Sequence, residues 1–323
     1  MTGLQPHVCH QRKYMDNKHN TLRVSVGIPA YNEEANIVTL LRSVLDQQTS
    51  HFALAEIIVV SDGSTDETVA RVRAIDNPKI KIWEYKERVG KSQHLNTIFD
   101  KASGDIIVLF DADVVLPHQN VLANLIAPLT KDSTVGLVGG NPQPTKAQTF
   151  IEKGVNATFQ AYSPFRTILK NGNNAFGCDG RILALSKVFA NAVAVPENMI
   201  ANDAFLYFSC ITKGFAFRHV REAQVWFTSP RNIKDQIRQN KRFIASHYRL
   251  ERIFGSIVPA EYRVPKFLLY KLQLKEFIKA PFSSLSVFLI NLYCKIRAKR
   301  DERKMNAKWL MAHSTKEKIS AYF

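Results

Sequence analysis

The sequence predicts an α/β fold: a mixed, mainly parallel sheet flanked by helices, followed by a basic helical C-terminal extension. Three observations predict it. Short apolar strands alternate with amphipathic helices from residue 22 to about residue 110. Several of these strands end in polar clusters rich in carboxylates. Positive charge is gathered in the last third of the chain.

The elements follow in order. "LRVSVGIPAY" alternates Val24, Val26 and Ile28 and reads as the first strand. In "YNEEANIVTLLRSVLDQQ" the apolar Ile37, Leu40, Leu41, Val44 and Leu45 have helical spacing. Glu33 and Glu34 are expected in the first turn of that helix, where its dipole favours carboxylates. "EIIVVSDGS" is a short buried strand ending in a polar turn, "TDETVARVRAI" a helix and "KIKIWEY" an alternating strand. "GKSQHLNTIFDKASG" is helical, with Leu95, Ile98 and Phe99 as core face and Gly104 as its stop. "DIIVLF" is a fourth strand and runs straight into Asp111. Alternation of this kind implies parallel pairing with helices on the sheet faces.

Beyond about residue 130 the alternation loosens. "VGLVGG" reads as a strand, residues 148–169 as a helix and "NNAFGCDGRILALS" as a glycine-bearing strand or loop. "NDAFLYFSCITKG" is a helix closed by Gly214, "AFRHV" and "EAQVWF" are a pair of strands, and residues 231–250 form a basic helix. The domain reading is a disordered segment over 1–20, an α/β domain over 21–255 and a basic helical region over 256–323.

The chain has 323 residues, 46% of them hydrophobic, enough for one large domain or one domain plus an appendage. Residues 1–230 hold 23 Lys and Arg against 21 Asp and Glu, whereas 231–323 hold 21 against 7. A nearly neutral body with a basic end suggests an anion-seeking surface on a catalytic domain; no nucleic acid is expected. Cys9, Cys178, Cys210 and Cys294 are scattered, form no CxxC pair and read as thiols in a reducing compartment. The polar N-terminal stretch carries no signal-peptide core, so the expected address is cytoplasmic.

Three polar clusters fall at strand ends: "PAYNEE", "SDGSTD" and "DAD". In an open parallel sheet, ligands bind beyond the carboxyl ends of the strands. Asp111 and Asp113, at i and i+2, project from the same side of an extended chain and repel each other. A hard divalent cation, Mg²⁺ or Mn²⁺, suits such oxygen ligands. Two carboxylates are too few for a closed structural site, which points to a metal completed by a diphosphate.

"IPAYNEE", "VVSDGSTD", "RVGKSQHLN" and "LFDADV" together resemble the successive signatures of family 2 glycosyltransferases, over roughly residues 22–130 and with lower fidelity to about 245. The resemblance implies a GT-A (Rossmann-like) fold, with a nucleotide-sugar half over about 21–130 and an acceptor half over about 131–255. It implies an inverting, metal-dependent transfer from a nucleoside-diphosphate sugar, a UDP-sugar being the first expectation, to an acceptor hydroxyl on a glycan or lipid-linked acceptor. Carried over by position, Pro29 joins the nucleotide-sugar-binding set, Tyr31 lies against the nucleobase and Glu33 near the ribose. Asp62 accepts from the base, Lys91 approaches the phosphates or helps shape the pocket, Asp111 meets the ribose or the metal's waters, and Asp113 coordinates the metal. Family members usually carry a Glu-Asp pair whose Asp is the general base. The matching place is Asp203, preceded by Asn202 instead of Glu. A helix N-cap is the plainer role for Asp203. Gln239, Arg242 and Phe243 resemble the QxxRW segment with Phe for Trp, which places Arg242 near the diphosphate and Phe243 beneath the acceptor; a core position is the plainer role for Phe243. Asp179 and Arg181 are candidates on the acceptor side.

In the basic end, the longest charge-free run is Ala280–Cys294. Fifteen residues are too short to cross a bilayer, which takes about 20. "LSVFLINLYCKIRAKRDERK" sets an apolar segment beside a positive cluster, which suits a helix lying on an anionic membrane surface. Ser283, Ser284 and Ser286 argue against a deep apolar face. Two other functions fit less of the sequence. A sugar nucleotidyltransferase would want a glycine-rich loop after the first strand, which "PAYNEE" lacks. A non-catalytic protein that binds membrane or nucleic acid through the basic end leaves Asp62, Asp111, Asp113 and Asp203 unexplained.

Overall fold

The computed structural model describes residues 21–306, 308 and 312–319; the expected disordered segment 1–20 lies outside them. Strands β1 (Arg23–Ala30), β2 (Ala53–Asp62), β3 (Ile80–Tyr85) and β4 (Ile106–Phe110) alternate with helices α1 (Ile37–Leu45), α2 (Thr68–Arg73) and α3 (Lys91–Lys101). β1 pairs in parallel with β2 and β4, and β2 in parallel with β3. The chain continues through β5 (Val114–Val115), α4 (Val121–Lys131), β6 (Val135–Pro144), α5 (Phe150–Tyr162), α6 (Phe165–Ile168), β7 (Ile182–Ser186), α7 (Lys187–Ala192), α8 (Asn202–Thr212) and β8 (Ala216–Phe227). The eight strands form one sheet in the order β3-β2-β1-β4-β7-β6-β8-β5. β7 runs antiparallel to both β4 and β6, which makes the sheet mixed, as expected. Last come α9 (Ile233–Phe254), α10 (Ile257–Glu261), α11 (Lys266–Lys279) and α12 (Pro281–Glu302).

Alternation of side chains along the strands feeds two cores, one on each face of the sheet. Val24, Val26 and Ile28 of β1 pack with Ile37, Leu40, Leu41 and Val44 of α1 and with Leu122 and Leu125 of α4. The opposite face gathers Leu95, Ile98 and Phe99 of α3 with Leu206 and Phe208 of α8. Ser25 and Gly27 occupy the alternate positions of β1. A Cβ on Gly27 would lie 2.4 Å from Cγ2 of Ile98, so a side chain there would push α3 off the sheet. That matters because α3 begins with Lys91.

Several expectations are corrected. Glu33 and Glu34 precede α1 and lie in the turn before it, and the Glu33 carbonyl accepts from the amides of Asn36 and Ile37. Gly104 does not cap α3, which ends at Lys101; it lets the chain pass beside β1, where a Cβ would meet the Ser25 nitrogen at 2.6 Å. The helix expected over 148–169 breaks after Tyr162, because Pro164 has no N–H to continue the ladder. "AFRHV" and "EAQVWF" are one strand, β8, whose pairing with β6 jumps from Gly139↔His219 to Asn141↔Gln224. The sequence reading missed α4 and α7. Gly214, at φ 82°, closes α8 as expected.

Among the described residues no helix is long and apolar enough to cross a membrane. Gly27→Val should lower unfolding stability by roughly 1–3 kcal/mol through overpacking against Ile98. Urea denaturation would show this, and a Gly27→Val, Ile98→Ala double variant should recover part of the loss.

Candidate active site

The carboxyl ends of β1, β2 and β4 deliver three polar clusters to one edge, because these neighbouring strands run parallel. At the end of β2, Asp62 is buried and its Oδ1 accepts from the backbone amides of Val89 (2.6 Å) and Gly90 (3.1 Å). Gly90 sits at φ 97°, a conformation open to glycine, and its turn aims both amides at the carboxylate. His94 Nε2 lies 3.1 Å from the same oxygen. Burial alone would raise the pKa of Asp62, but His94 and the two amides outweigh it and hold the group below its ordinary value. Arg88 lies 3.5 Å from the other oxygen and places its guanidinium 4.1 Å above the ring of Tyr31, which follows β1. Asp62 and Tyr31 are therefore brought together, with Arg88 between them.

β4 ends at Phe110, and Asp111 and Asp113 follow at once. Lys91, the first residue of α3, donates to Asp111 Oδ1. Among the described residues no side chain bonds the Asp113 carboxylate. Burial, and next the negative charge of Asp111, push the pKa of Asp113 up to about 6, although Arg181 and Lys91 pull the other way. Arg181 faces both of these aspartates and holds Asp179 through its Nη1, at 3.1 and 3.0 Å. Its guanidinium also lies 3.8 Å above the ring of Phe227. Asp179 lies beside a second arginine, Arg166, at 3.5 Å. Burial would raise Asp179, yet Arg181 and Arg166 keep it below the usual carboxylate range.

Asp203 lies in the first turn of α8. It is not the N-cap, a position taken by Ala201. Its carboxylate accepts from the amide of Gly180 (3.2 Å) at Oδ2 and from that of Ala204 (2.9 Å) at Oδ1. Burial, and then Asp179, raise its pKa against the pull of the Ala204 amide, Lys91 and Arg242. A small cavity is lined by Pro29, Lys91, Asp111, Gly180, Asn202 and Asp203. Asn202 is buried, and its amide oxygen accepts from Ser92 at 3.0 Å, which ties α8 to α3. Arg242, on α9, interacts electrostatically with Asp203, Asp111 and Asp113; burial draws its pKa down from the ordinary arginine value. Gln239 lies one turn earlier, its amide oxygen buried and without a hydrogen-bond partner among the described residues. Phe243 is 59% exposed and touches His247 edge-on, so it is not a core residue.

Glu33 has surroundings the sequence reading missed. It is 3% exposed and paired with Lys316, from the segment 312–319 near the end of the chain. Asn36 Nδ2 donates to the carbonyls of Lys316 (3.1 Å) and Glu317 (3.2 Å), and the Ile319 amide donates back to Asn36 Oδ1 (3.0 Å). Ser314 anchors the same segment to Asp235 of α9. Burial pulls the Lys316 ammonium down to about 7. No spacing rule connects residues 33 and 316, so only the folded chain reveals the pair. Arg88 and His94 did lie inside the quoted "RVGKSQHLN" stretch, where two side chains able to donate to a carboxylate were the available signal.

The donor set fits a hard divalent cation. Asp113 offers oxygens that no described side chain bonds, and Asp111 leaves one oxygen beyond its bond to Lys91. No group of three or more His, Cys, Asp or Glu gathers to cage a metal among the described residues. Such a cation would keep positions for ligand oxygens.

Residues 25–192, more than half of the chain, match the family model described as glycosyl transferase family 2. The chain belongs to that family. A poly-beta-1,6-N-acetyl-D-glucosamine synthase from Staphylococcus aureus (strain COL) is 25% identical over 273 residues, covering 82% of this chain and 63% of the relative. A glucosyl-3-phosphoglycerate synthase from Mycobacterium tuberculosis is 33% identical over 119 residues, 36% of each chain. Among solved structures, a mannosyltransferase from Pyrobaculum calidifontis in complex with GDP-Man and Mn²⁺ superposes with a TM-score of 0.56 at 20% identity, covering 88% of this chain and 78% of that one. The M. tuberculosis glucosyl-3-phosphoglycerate synthase, in complex with Mn²⁺, UDP and phosphoglyceric acid, gives 0.54 at 21% identity, covering 72% and 79%. These likenesses establish the GT-A fold. Family membership also disfavours the nucleotidyltransferase and the non-catalytic binder.

The raised pKa of Asp113 generates a test. A carboxyl group that holds its proton more tightly when folded stabilises the fold at low pH, and the benefit fades as pH rises from about 4 through about 6. Mn²⁺ should therefore raise Tm more above pH 6 than below it, where a proton already removes the charge of Asp113. Asp113→Asn should lose most of that pH dependence in differential scanning fluorimetry.

Proposed function

We propose that the protein is an inverting, metal-dependent glycosyltransferase that moves a hexose from a nucleoside-diphosphate sugar to an acceptor hydroxyl. One observation carries this reading furthest. A half-buried carboxylate with a raised pKa, Asp203, shares a small cavity with Lys91 and with Asp111 of the acidic pair. A proton acceptor and a polyanion site in one cavity suit attack at the anomeric carbon by a hydroxyl, with departure of a diphosphate.

In this reading the acceptor oxygen attacks as Asp203 takes its proton, the new glycosidic bond forms on the face opposite the leaving group, and the bond to the diphosphate breaks. The amides of Gly180 and Ala204 fix the orientation of Asp203. Its raised pKa brings it nearer the operating pH, where a general base works best. Arg242 and Lys91 meet the negative charge gathering on the leaving diphosphate. Asp113, with Asp111 beside it, would hold Mg²⁺ or Mn²⁺, which as a Lewis acid stabilises the diphosphate. Pro29, Tyr31, Glu33 and Asp62 would form the nucleoside side, so a bound nucleoside meets Arg88 and Lys316 as well. Asn202, Asp179, Arg181, Gln239 and Phe243 belong to the acceptor side, and the exposure of Phe243 supports an acceptor contact.

The similarity to a polymer-forming N-acetylglucosamine synthase supports a role in cell-surface glycan or glycolipid synthesis, with a UDP-sugar as first candidate and a glycan or lipid-linked acceptor. The chain spans 63% of that relative, so its product is not carried over. Buried free thiols at Cys178, Cys210 and Cys294 suit the cytoplasm, and a peripheral position on the inner membrane face accompanies this reading.

Asp203→Asn should lower transfer by about 10²–10⁴-fold while leaving nucleotide-diphosphate binding intact, as read by product chromatography and calorimetry. An active variant would move the base elsewhere. In the wild type, transfer should fall as pH drops through the raised pKa of Asp203, because the protonated acid cannot accept the hydroxyl proton.

A further inference from the structure

Helix α12 is packed inside out for a helix surrounded by water. Its inward stripe is Ser283, Val287, Cys294 and Ala298, all buried. The opposite stripe is Phe282, Leu285, Leu289, Leu292 and Ile296, spaced alternately three and four residues apart and all exposed. Phe282 and Ile296 are each 78% exposed. A solvated helix places such side chains against the core and the small polar ones outside. α11, which precedes it, has no buried residue, and Phe267, Tyr270, Leu274 and Ile278 add to the exposed set.

The inward face shows that the seating is specific. At Gly154 of α5, a Cβ would lie 2.3 Å from the Ser283 carbonyl oxygen, so the two helices touch backbone to backbone. Asn291 Oδ1 accepts from Asn240 (2.7 Å) and Gln236 (3.4 Å) of α9. The serines expected to spoil an apolar face do not do so: Ser283 is buried and Ser286 bonds the carbonyl of Phe282 in its own helix.

Charge selects the occupant of the outer face. Lys266, Lys271, Lys275 and Lys279 on α11 and Lys295, Lys299 and Arg300 on α12 are exposed. The acids of the two helices are all engaged: Glu276 with Lys279, Asp301 with Lys241, and Glu302 with Arg249 and Arg252. The outer surface thus offers hydrocarbon and cations without an unpaired carboxylate. A second copy of the chain would set these cations against one another, whereas an anionic bilayer accepts both features.

We propose that α11 and α12 form a monotopic docking surface for an anionic lipid bilayer, with the Phe282-to-Ile296 stripe buried at the headgroup–acyl boundary and the lysines on the phosphates. The surface gives physical content to the peripheral placement above. It does not depend on the transfer chemistry, since none of these side chains belongs to the carboxylate site. It also seats the bilayer against α12, which packs on α9, the helix carrying Arg242 and Phe243.

The test is cosedimentation of the full chain with phosphatidylcholine vesicles and with vesicles in which a third of the lipid is phosphatidylglycerol. Binding to the anionic vesicles should be at least about tenfold stronger and should weaken at high salt. Phe282→Asp with Ile296→Asp, and separately Lys271→Glu with Lys275→Glu, should each cut it about tenfold or more while Tm and UDP affinity stay unchanged. Equal binding to both vesicle types, undiminished binding by the variants, or no vesicle binding together with a dimer that Phe282→Asp dissociates in light scattering would each overturn the proposal.

Discussion

Two carboxylates at the end of β4 repel each other, and much of the site is arranged around that repulsion. Asp111 is answered by Lys91; no described side chain bonds the carboxylate of Asp113, and its proton affinity stays high. Arg181 and Arg242 bring positive charge to both, and Asp203 joins the same electrostatic cluster. The protein's own cations leave the pair only partly compensated, a condition that a divalent cation with a diphosphate completes. A site neutralised by its own side chains would have little affinity left for such a ligand.

Holding these charges in place requires close backbone packing. Gly27 lets α3 lie against β1, which sets Lys91 at the end of β4. Asn202 and Ser92 tie α8 to α3, and their neighbours Asp203 and Lys91 line the same cavity. Arg166, buried behind the site, braces Asp179, which in turn fixes Arg181 and raises Asp203. The late part of the chain closes over Glu33 through Lys316 and supplies the outer helices packed on α5 and α9.

The first half of this architecture was legible in the sequence because its signals are local. Apolar alternation located β1 to β4, and the polar clusters at their ends fell on one edge since parallel neighbours end together. Asp203 was singled out by resemblance to the family's Glu-Asp position, supported by the helix downstream that Gly214 closes. What stayed hidden depends on distant contacts. The α4 helix carries Pro128 and follows a short strand that has no periodicity of its own. The merged β8 strand is held by β6, whose register jump no local pattern announces. The ion pair of Glu33 with Lys316 spans most of the chain. The serines of α12 misled because composition was read without the face on which each one lies.

The central claim is that the acidic pair and a nucleoside diphosphate share one divalent cation. Calorimetric titration of UDP and GDP, with and without Mn²⁺, measures that coupling directly. The account predicts that Mn²⁺ tightens binding of the preferred diphosphate by about tenfold or more, and that Asp113→Ala removes the enhancement while leaving the metal-free affinity nearly unchanged. Equal affinity with and without metal in the wild type, or an enhancement that survives in Asp113→Ala, would contradict it.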